Sequence, residues 1–211
     1  MPTPGAEDSR VRSRVLDPPT LAALTLAGLP GVGDRAFRLA IDHFGSAVAA
    51  LESSARLHAL VPRAQTDGQA RANAETAARQ SWQRGGESNL HLWVYGQEGY
   101  PRRLRALHDP PALVWGRGDA TALSKTPTCA VVGSRRAGSY GLRMSRSLGH
   151  TLSSAGVVVV SGMAMGIDGA AHRGALEGRG GTIAVLGSGA DVPTPASQKP
   201  VYRKVVDQGL V

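Results

Sequence analysis

Three short apolar runs in the second half of this chain end on glycine and serine, and that repeat limits the fold more than any other feature. Ala130-Val131-Val132 leads into Gly133-Ser134-Arg135, Val158-Val159-Val160 into Ser161-Gly162, and Ala184-Val185-Leu186 into Gly187-Ser188-Gly189. Runs of this length without polar alternation read as strands buried on both faces, the habit of a parallel sheet. Helical stretches at 140–154, 169–177 and 200–208 follow the three runs in turn. Strand–helix alternation of this kind predicts an α/β unit with a parallel sheet covered on both faces. In such a sheet the carboxyl ends of the strands line the ligand-binding edge. Small residues there let backbone amides approach a phosphate, and the following helix N-termini add positive dipole ends. One Gly/Ser turn would be only a turn; three at the same topological position predict an anion site.

Two further β-rich runs, 92–95 and 112–115, precede this region, and 128–132 contains the first of its strands. Residues 19–88 have a different texture. Phe37, Ile41 and Phe44 fall at helical spacing, Gly45-Ser46 stops that helix and caps the next, and 69–83 is an Ala-rich helix ended by Gly85-Gly86. The reading is a polar, disordered leader over 1–18, a helical domain over 19–88 and an α/β domain over 91–211. A length of 211 residues suits one or two domains.

Charge separates the same two regions. Residues 1–100 hold 10 Lys+Arg against 10 Asp+Glu, whereas 101–211 hold 14 against 6 and carry the whole net charge of +8. Arginine accounts for most of the basic residues, as a GC-rich genome would produce. Codon bias does not explain why one half is neutral and the other basic. A concentrated excess of this sort attracts polyanions. A single cysteine, Cys129, excludes an internal disulfide framework and a cysteine-based zinc cluster, and its strand setting predicts a buried apolar role. No apolar run approaches the ~18 residues of a membrane span, and the polar start of the chain does not resemble a secretory signal. The expectation is a soluble, cytoplasmic protein.

Motifs narrow the anion. Gly133 to Gly138 has the spacing that opens a Walker loop, but Ser139-Tyr140 stands where Lys-Ser/Thr is required. Gly187-Ser188-Gly189 lacks the third glycine of a dinucleotide fingerprint. Neither nucleotide cofactor is expected, and no metal-ligand spacing occurs. The first loop offers tandem Arg135-Arg136, side chains that pair bidentately with phosphate and stack on bases, and Ser139 is placed to cap the next helix. Asp168 and His172, four apart, admit two readings: a general base oriented by an acid, or a capping Asp with a structural His, the second being favoured. Gly31-Val32-Gly33 in the helical region admits either a helix-hairpin-helix contact with DNA or a plain interhelical turn. The three tryptophans read as packing residues.

In order and spacing, Tyr100-Pro101-x-x-Leu104, Asp109-Pro110-Pro111, Val131-Val132-Gly133-Ser134-Arg135, Tyr140-Gly141, the run from Ser161 to His172, and Gly181-Thr182-x-Ala184-Val185-Leu186-Gly187 resemble the DNA-processing protein A (DprA/Smf) family over residues 91–211. The resemblance implies an extended Rossmann-like parallel sheet with helices on both faces, preceded by a small all-helical domain of the SAM or helix-hairpin-helix kind. It implies a protein that binds single-stranded DNA without hydrolysing it and loads the RecA recombinase during natural transformation, usually as a dimer. Carried onto these residues, Gly133, Ser134 and Arg135 form the phosphate pocket. Ser161, Gly162 and Gly166 wall it, while Asp168 and His172 hold the wall in place. Arg136, Arg143 and Arg146 extend the basic surface on charge alone.

The family pattern continues past Val211 with a Ser-Glu-x-x-Pro segment, a Phe-Pro-x-Arg-Asn-Arg segment and further strands, so a sheet cut short with an unpaired edge is expected. Asp191-Val192-Pro193-Thr194-Pro195 also lacks the aromatic of the family's Asp-x-x-Tyr-Pro. Two rivals stand beside the DNA-binding reading. One is a Rossmann-type nucleotide phosphoribohydrolase, of whose glycine loop Gly180-Gly181-Thr182 is an echo; the other is an inactive remnant.

Overall fold

The structure, a computed structural model, describes residues 15–211. The leader assigned to 1–18 lies outside the described residues except at 15–18, which include the start of a helix. Asp17 is an N-cap whose carboxylate accepts from the Thr20 amide at 2.8 Å, and Pro18 opens helix α1 (Pro18–Gly28). The described residues divide into two compact units, one ending at Gly86 and the other running from Glu87 to Val211.

The first unit is helical: α1, α2 (Asp34–Phe44), α3 (Ala47–Glu52), α4 (Ser54–Leu60) and α5 (Gly68–Glu87). Its boundaries follow from local chemistry. Gly45 ends α2 in the left-handed region at φ 80°, and the Ser46 hydroxyl caps α3 by accepting from the Ala49 amide. Leu26, Phe37, Ala50 and Leu57 are buried at its centre. Ala70, Ala74 and Ala78 make a narrow stripe on α5, against which Gly28 of α1 packs closely. Contrary to expectation, α5 continues through Gly85-Gly86 to Glu87. Interior glycine costs only ~1 kcal/mol, Gly85 is buried, and the left-handed residue that follows the helix is Asn89, at φ 52°.

The turn between α1 and α2 depends on Gly31, which sits at φ 86° with its Cα against the Arg63 carbonyl; a Cβ there would lie 1.8 Å from that oxygen. Gln65 donates to the Pro30 carbonyl beside it, so the turn is packed against the chain after α4. Gly33, by contrast, faces open space.

The second unit carries a two-stranded antiparallel pair, β1 (His91–Val94) with β2 (Leu113–Gly116), and between them a single-turn helix, α6 (Arg102–Arg105). A three-stranded parallel sheet follows, in the order β3 (Thr128–Ala130), β4 (Val158–Ser161), β5 (Thr182–Ala184). Three helices alternate with it: α7 (Ser139–Ser154), α8 (Ile167–Ala175) and α9 (Lys199–Gln208). This is a Rossmann-like α/β arrangement. The first two runs do not join the parallel set, because β1 and β2 are half-buried strands able to pair directly with each other. Residues of β4 alternate across the sheet. Val159 packs with Val131, Ala171 and Ala175 on the side of α7 and α8, while Val158 faces Ala122 of a 3-10 turn at Ala120–Ser124. Cys129 is half-buried, since β3 is an edge strand.

The expected open edge at β5 is not present along Thr182–Ala184. Ala184 donates to the Leu210 carbonyl at 2.8 Å and Leu210 to that of Thr182 at 3.1 Å. On the far side of the same segment, Arg117 and Val211 exchange both backbone hydrogen bonds. Residues 209–211 thus lie between β5 and the continuation of β2, which supplies the partner groups that an unpaired edge would lack.

Replacing Gly31 by Ala is expected to lower stability by at least ~2 kcal/mol, from strain plus the clash with Arg63. Gly33→Ala should change it by less than ~1 kcal/mol. Urea denaturation of the two variants, followed by circular dichroism, checks the contrast.

Candidate functional site

The ends of β3 and β4 are held together by close contacts at two glycines, Gly133 against the Ile167 side chain and Gly166 against the backbone of the first loop. A Cβ on Gly133 would sit 2.8 Å from Ile167 Cγ1. Gly166, at φ 82°, is so close to the first loop that a Cβ would fall 2.2 Å from the Ser134 carbonyl oxygen. The Ile167 amide donates to that same carbonyl at 3.2 Å.

Asp168, buried at the start of α8, joins the two loops. One carboxylate oxygen accepts from the Gly133 amide at 3.3 Å and the other from the Gly162 amide at 3.2 Å. It does not cap its own helix: the N-cap is Gly166 and makes no side-chain bond. Ser161 is likewise turned inward, its hydroxyl donating to the Val131 carbonyl at 2.6 Å. The amides of Gly133 and Gly162 are therefore occupied by the protein's own carboxylate, and the Ser161 hydroxyl by the sheet. None of the three is available to a ligand in this arrangement.

His172 is fully buried (0 % exposed), one turn along α8 from Asp168. The Thr182 hydroxyl donates to the Val159 carbonyl at 2.7 Å, so at 2.8 Å it accepts the proton on His172 Nδ1. Nε2 is left as the lone-pair nitrogen, buried without a hydrogen-bond partner. Burial pushes the His172 pKa down from 6.5 to about 4, outweighing the Asp168 charge and the Ser161 carbonyl, which act in the opposite direction. A ring closed off from solvent cannot meet a substrate, so the general-base reading of this pair fails on geometry. His172 anchors α8 to β5. Gly180-Gly181-Thr182 is also structural: a Cβ on Gly180 would meet the Val157 carbonyl at 2.4 Å, and the Thr182 hydroxyl is buried.

What stays open is the first loop. The amides of Ser134, Arg135, Ala137 and Gly138 have no partner among the described residues, and neither do those of Ser139, Tyr140 and Gly141 in the first turn of α7. Ser139 is the first helical residue and not the cap. The N-cap is Gly138, which has no side chain to satisfy those donors. The Ser134 hydroxyl accepts from the Arg136 amide at 3.1 Å and shapes the turn. Arg135 and Arg136 are exposed and meet no carboxylate among the described residues. Tyr140, in the first turn of α7, is 70 % exposed. The N-terminus of α8 contributes less, because the carbonyls of Ser134, Ala164 and Gly166 already take its amides at Ile167, Gly169 and Ala170. The third loop differs again: Ser188 donates to the Val192 carbonyl, and the Asp191 carboxylate lies against Gly189. Among the described residues no group of three His, Cys, Asp or Glu could hold a metal ion.

Sequence reading missed the residues that set α7 against α8. A Cβ on Gly149 would fall 2.4 Å from the Ala171 carbonyl oxygen, and one on Gly174 would fall 1.9 Å from that of Arg146. Ser145 donates to the Ile167 carbonyl at 2.8 Å. The small-residue run Gly169-Ala170-Ala171 with Gly174-Ala175 was the available signal.

The family model described as DNA recombination-mediator protein A matches residues 91–211, which include all of these loops. The chain belongs to that family. Relatives include a putative DNA processing protein DprA of Mycobacterium tuberculosis, 40% identical over 114 residues, or 54% of this chain and 29% of that protein. Protein Smf of Escherichia coli is 39% identical over 123 residues, 58% of this chain and 33% of its own. This chain therefore matches about a third of the length of these relatives. The X-ray structure of DprA from Streptococcus pneumoniae superposes with a TM-score of 0.68 at 24% identity, covering 90% of this chain and 64% of that one, a likeness of fold. A DprA structure from Helicobacter pylori, described for its single-stranded DNA binding mode, matches with a TM-score of 0.51 at 28% identity, covering 58% of this chain and 55% of that one.

The depressed pKa of His172 predicts the direction of acid sensitivity. A histidine that is neutral when folded takes up a proton more readily when unfolded, so its stabilisation is complete above pH ~6.5. That stabilisation should fall away as pH drops from ~6.5 to ~4, by about 3 kcal/mol in all. Thermal melting across this range should show Tm falling with pH, and the fall should be shallower in His172→Asn.

Proposed function

We propose that this chain binds single-stranded DNA through residues 133–138 and the first turn of α7, does not cleave it, and delivers such strands to the RecA recombinase during DNA uptake. The observation that supports this reading is a cluster of unbonded backbone amides beside two uncompensated arginines, inside the segment that belongs to the recombination-mediator family. Orphan amides at a helix N-terminus attract a phosphate, and a guanidinium adds bidentate, charge-assisted bonds. The exposed Tyr140 ring offers a stacking face that only an unpaired base can reach, which favours a single strand over a duplex. Arg136 and Arg143 extend the positive field along the same element.

Asp168 and His172 act in this scheme as positioning residues. Asp168 holds the first loop against the second through Gly133 and Gly162, and His172 keeps the helix that carries Asp168 in register with β5. Gly166 gives the first loop the space in which to lie. The reading includes no cofactor and a cytoplasmic location, and it assigns the homodimer to the full-length family and not to this chain; no described helix is long and apolar enough to cross a membrane.

Fluorescence anisotropy with labelled oligothymidine tests the proposal. Affinity should fall with salt at a log–log slope of ~0.7 per phosphate contacted. Arg135→Ala should weaken binding at least ~10-fold, the worth of one charge-assisted hydrogen bond, and reduce the slope by ~0.7. Unchanged binding in that variant would overturn the site. RecA assembly on the same strands should quicken when the chain is added, and no effect on assembly would remove the loading role alone.

A further inference from the structure

A second basic feature lies away from the loop, where α7, α8 and α9 meet. The close crossing of α7 and α8 at Gly174 puts Arg146 beside Arg173, and Lys204 of α9 completes the group. These side chains surround a cavity of about 290 Å³ whose apolar lining includes Leu176 and Val201. One acid, Glu177, stands among the three cations. Its carboxylate accepts from Arg146 Nη2 at 2.5 Å and lies 3.7 Å from His150 Nδ1. The Arg146 hydrogen bond, with further help from the charges of Arg146, His150 and Lys204, holds its carboxyl below the usual range. Arg173 reaches only the neutral Gln198 amide, at 3.3 Å, and Lys204 meets no carboxylate among the described residues. The cavity thus keeps an unmatched positive charge over an apolar floor.

Its position follows from helix geometry. Ser139, Arg143, Arg146 and His150 recur at intervals of four, three and four, which places them on one face of α7, and all are exposed. From the open amides at Ser139 to Arg146 the helix rises about 10 Å, with Arg143 between. The basic face leads from the loop to the cavity without an intervening acid on α7.

We infer that the cavity between α7, α8 and α9 is a second phosphate site, which takes a backbone phosphate of the same DNA strand a few nucleotides from the one held at residues 133–138. The inference rests on the single-strand reading of the loop. Arg173 and Lys204 supply the attraction, and Glu177 competes with the phosphate for Arg146.

The test measures binding of oligothymidines from about 4 to about 20 nucleotides, the span of sites that single-strand binders occupy. The double variant Arg173→Ala/Lys204→Ala should bind the short strands as the parent does. It should bind the long ones about tenfold more weakly, with a salt slope lower by ~0.7. Glu177→Gln should tighten the long strands several-fold and leave the short ones unchanged, a gain that a damaged fold would not produce. Lys204 should also be shielded from acetic anhydride in the parent chain by long strands, but not by short strands or by inorganic phosphate. An equal effect on long and short strands, no effect on either, or shielding by inorganic phosphate alone would overturn the second site. If Arg135→Ala fails to weaken even the short strands, the loop reading fails instead.

Discussion

A buried carboxylate shared between two loops organises the second unit. Burying an aspartate is unfavourable unless its oxygens find donors. Asp168 finds one on each side, the Gly133 amide and the Gly162 amide, and stands in the first turn of a helix, where negative charge is favoured. Hydrogen bonds to a charged acceptor contribute roughly 1.5–3 kcal/mol each. The pair fixes how far apart the ends of β3 and β4 can be. The approach is close enough that only glycine fits at 133 and 166, and the first loop is forced outward with its remaining amides exposed.

The same close packing extends down the helices. α7 and α8 meet through backbone atoms at Gly149 and Gly174, so neither helix can slide or rotate without a clash. The site therefore stands on rigid elements, as precise binding requires. His172 and Thr182 extend that rigidity to β5, through a ring whose buried, neutral state makes it a structural pin.

Electrostatics divides the labour among three similar loops. The first has arginines and free donors, the second is neutralised by Asp168, and the third carries Asp191. Uncompensated positive charge and free donors thus gather at one end of the sheet edge. Along α7 the positive charge continues, because Arg143 and Arg146 share a face with the loop-proximal Ser139.

The order of elements, the cap at Ser46, the Gly/Ser loop endings and the one-sided charge were legible in the residues, because each depends on neighbours a few positions apart, whereas Asp17, assigned to the leader, proved to be the cap of α1. Ser139 was misread as a cap because its role turns on a single residue's dihedrals at the end of a loop. The roles of Gly133, Ser161 and Gly162 could not be separated from those of Ser134 and Arg135, since all belong to the same kind of turn. Only the tertiary structure brought Asp168 to the Gly133 amide 35 positions away, and so decided which amides a ligand can reach. It also paired β1 with β2, placed residues 209–211 between two strands, and gathered Arg146, Arg173 and Lys204 from three helices. Periodicity and turn chemistry are local and can be read along the chain; the matching of a donor with an acceptor, or of one charge with another, is settled by distances that exist only once the chain has folded.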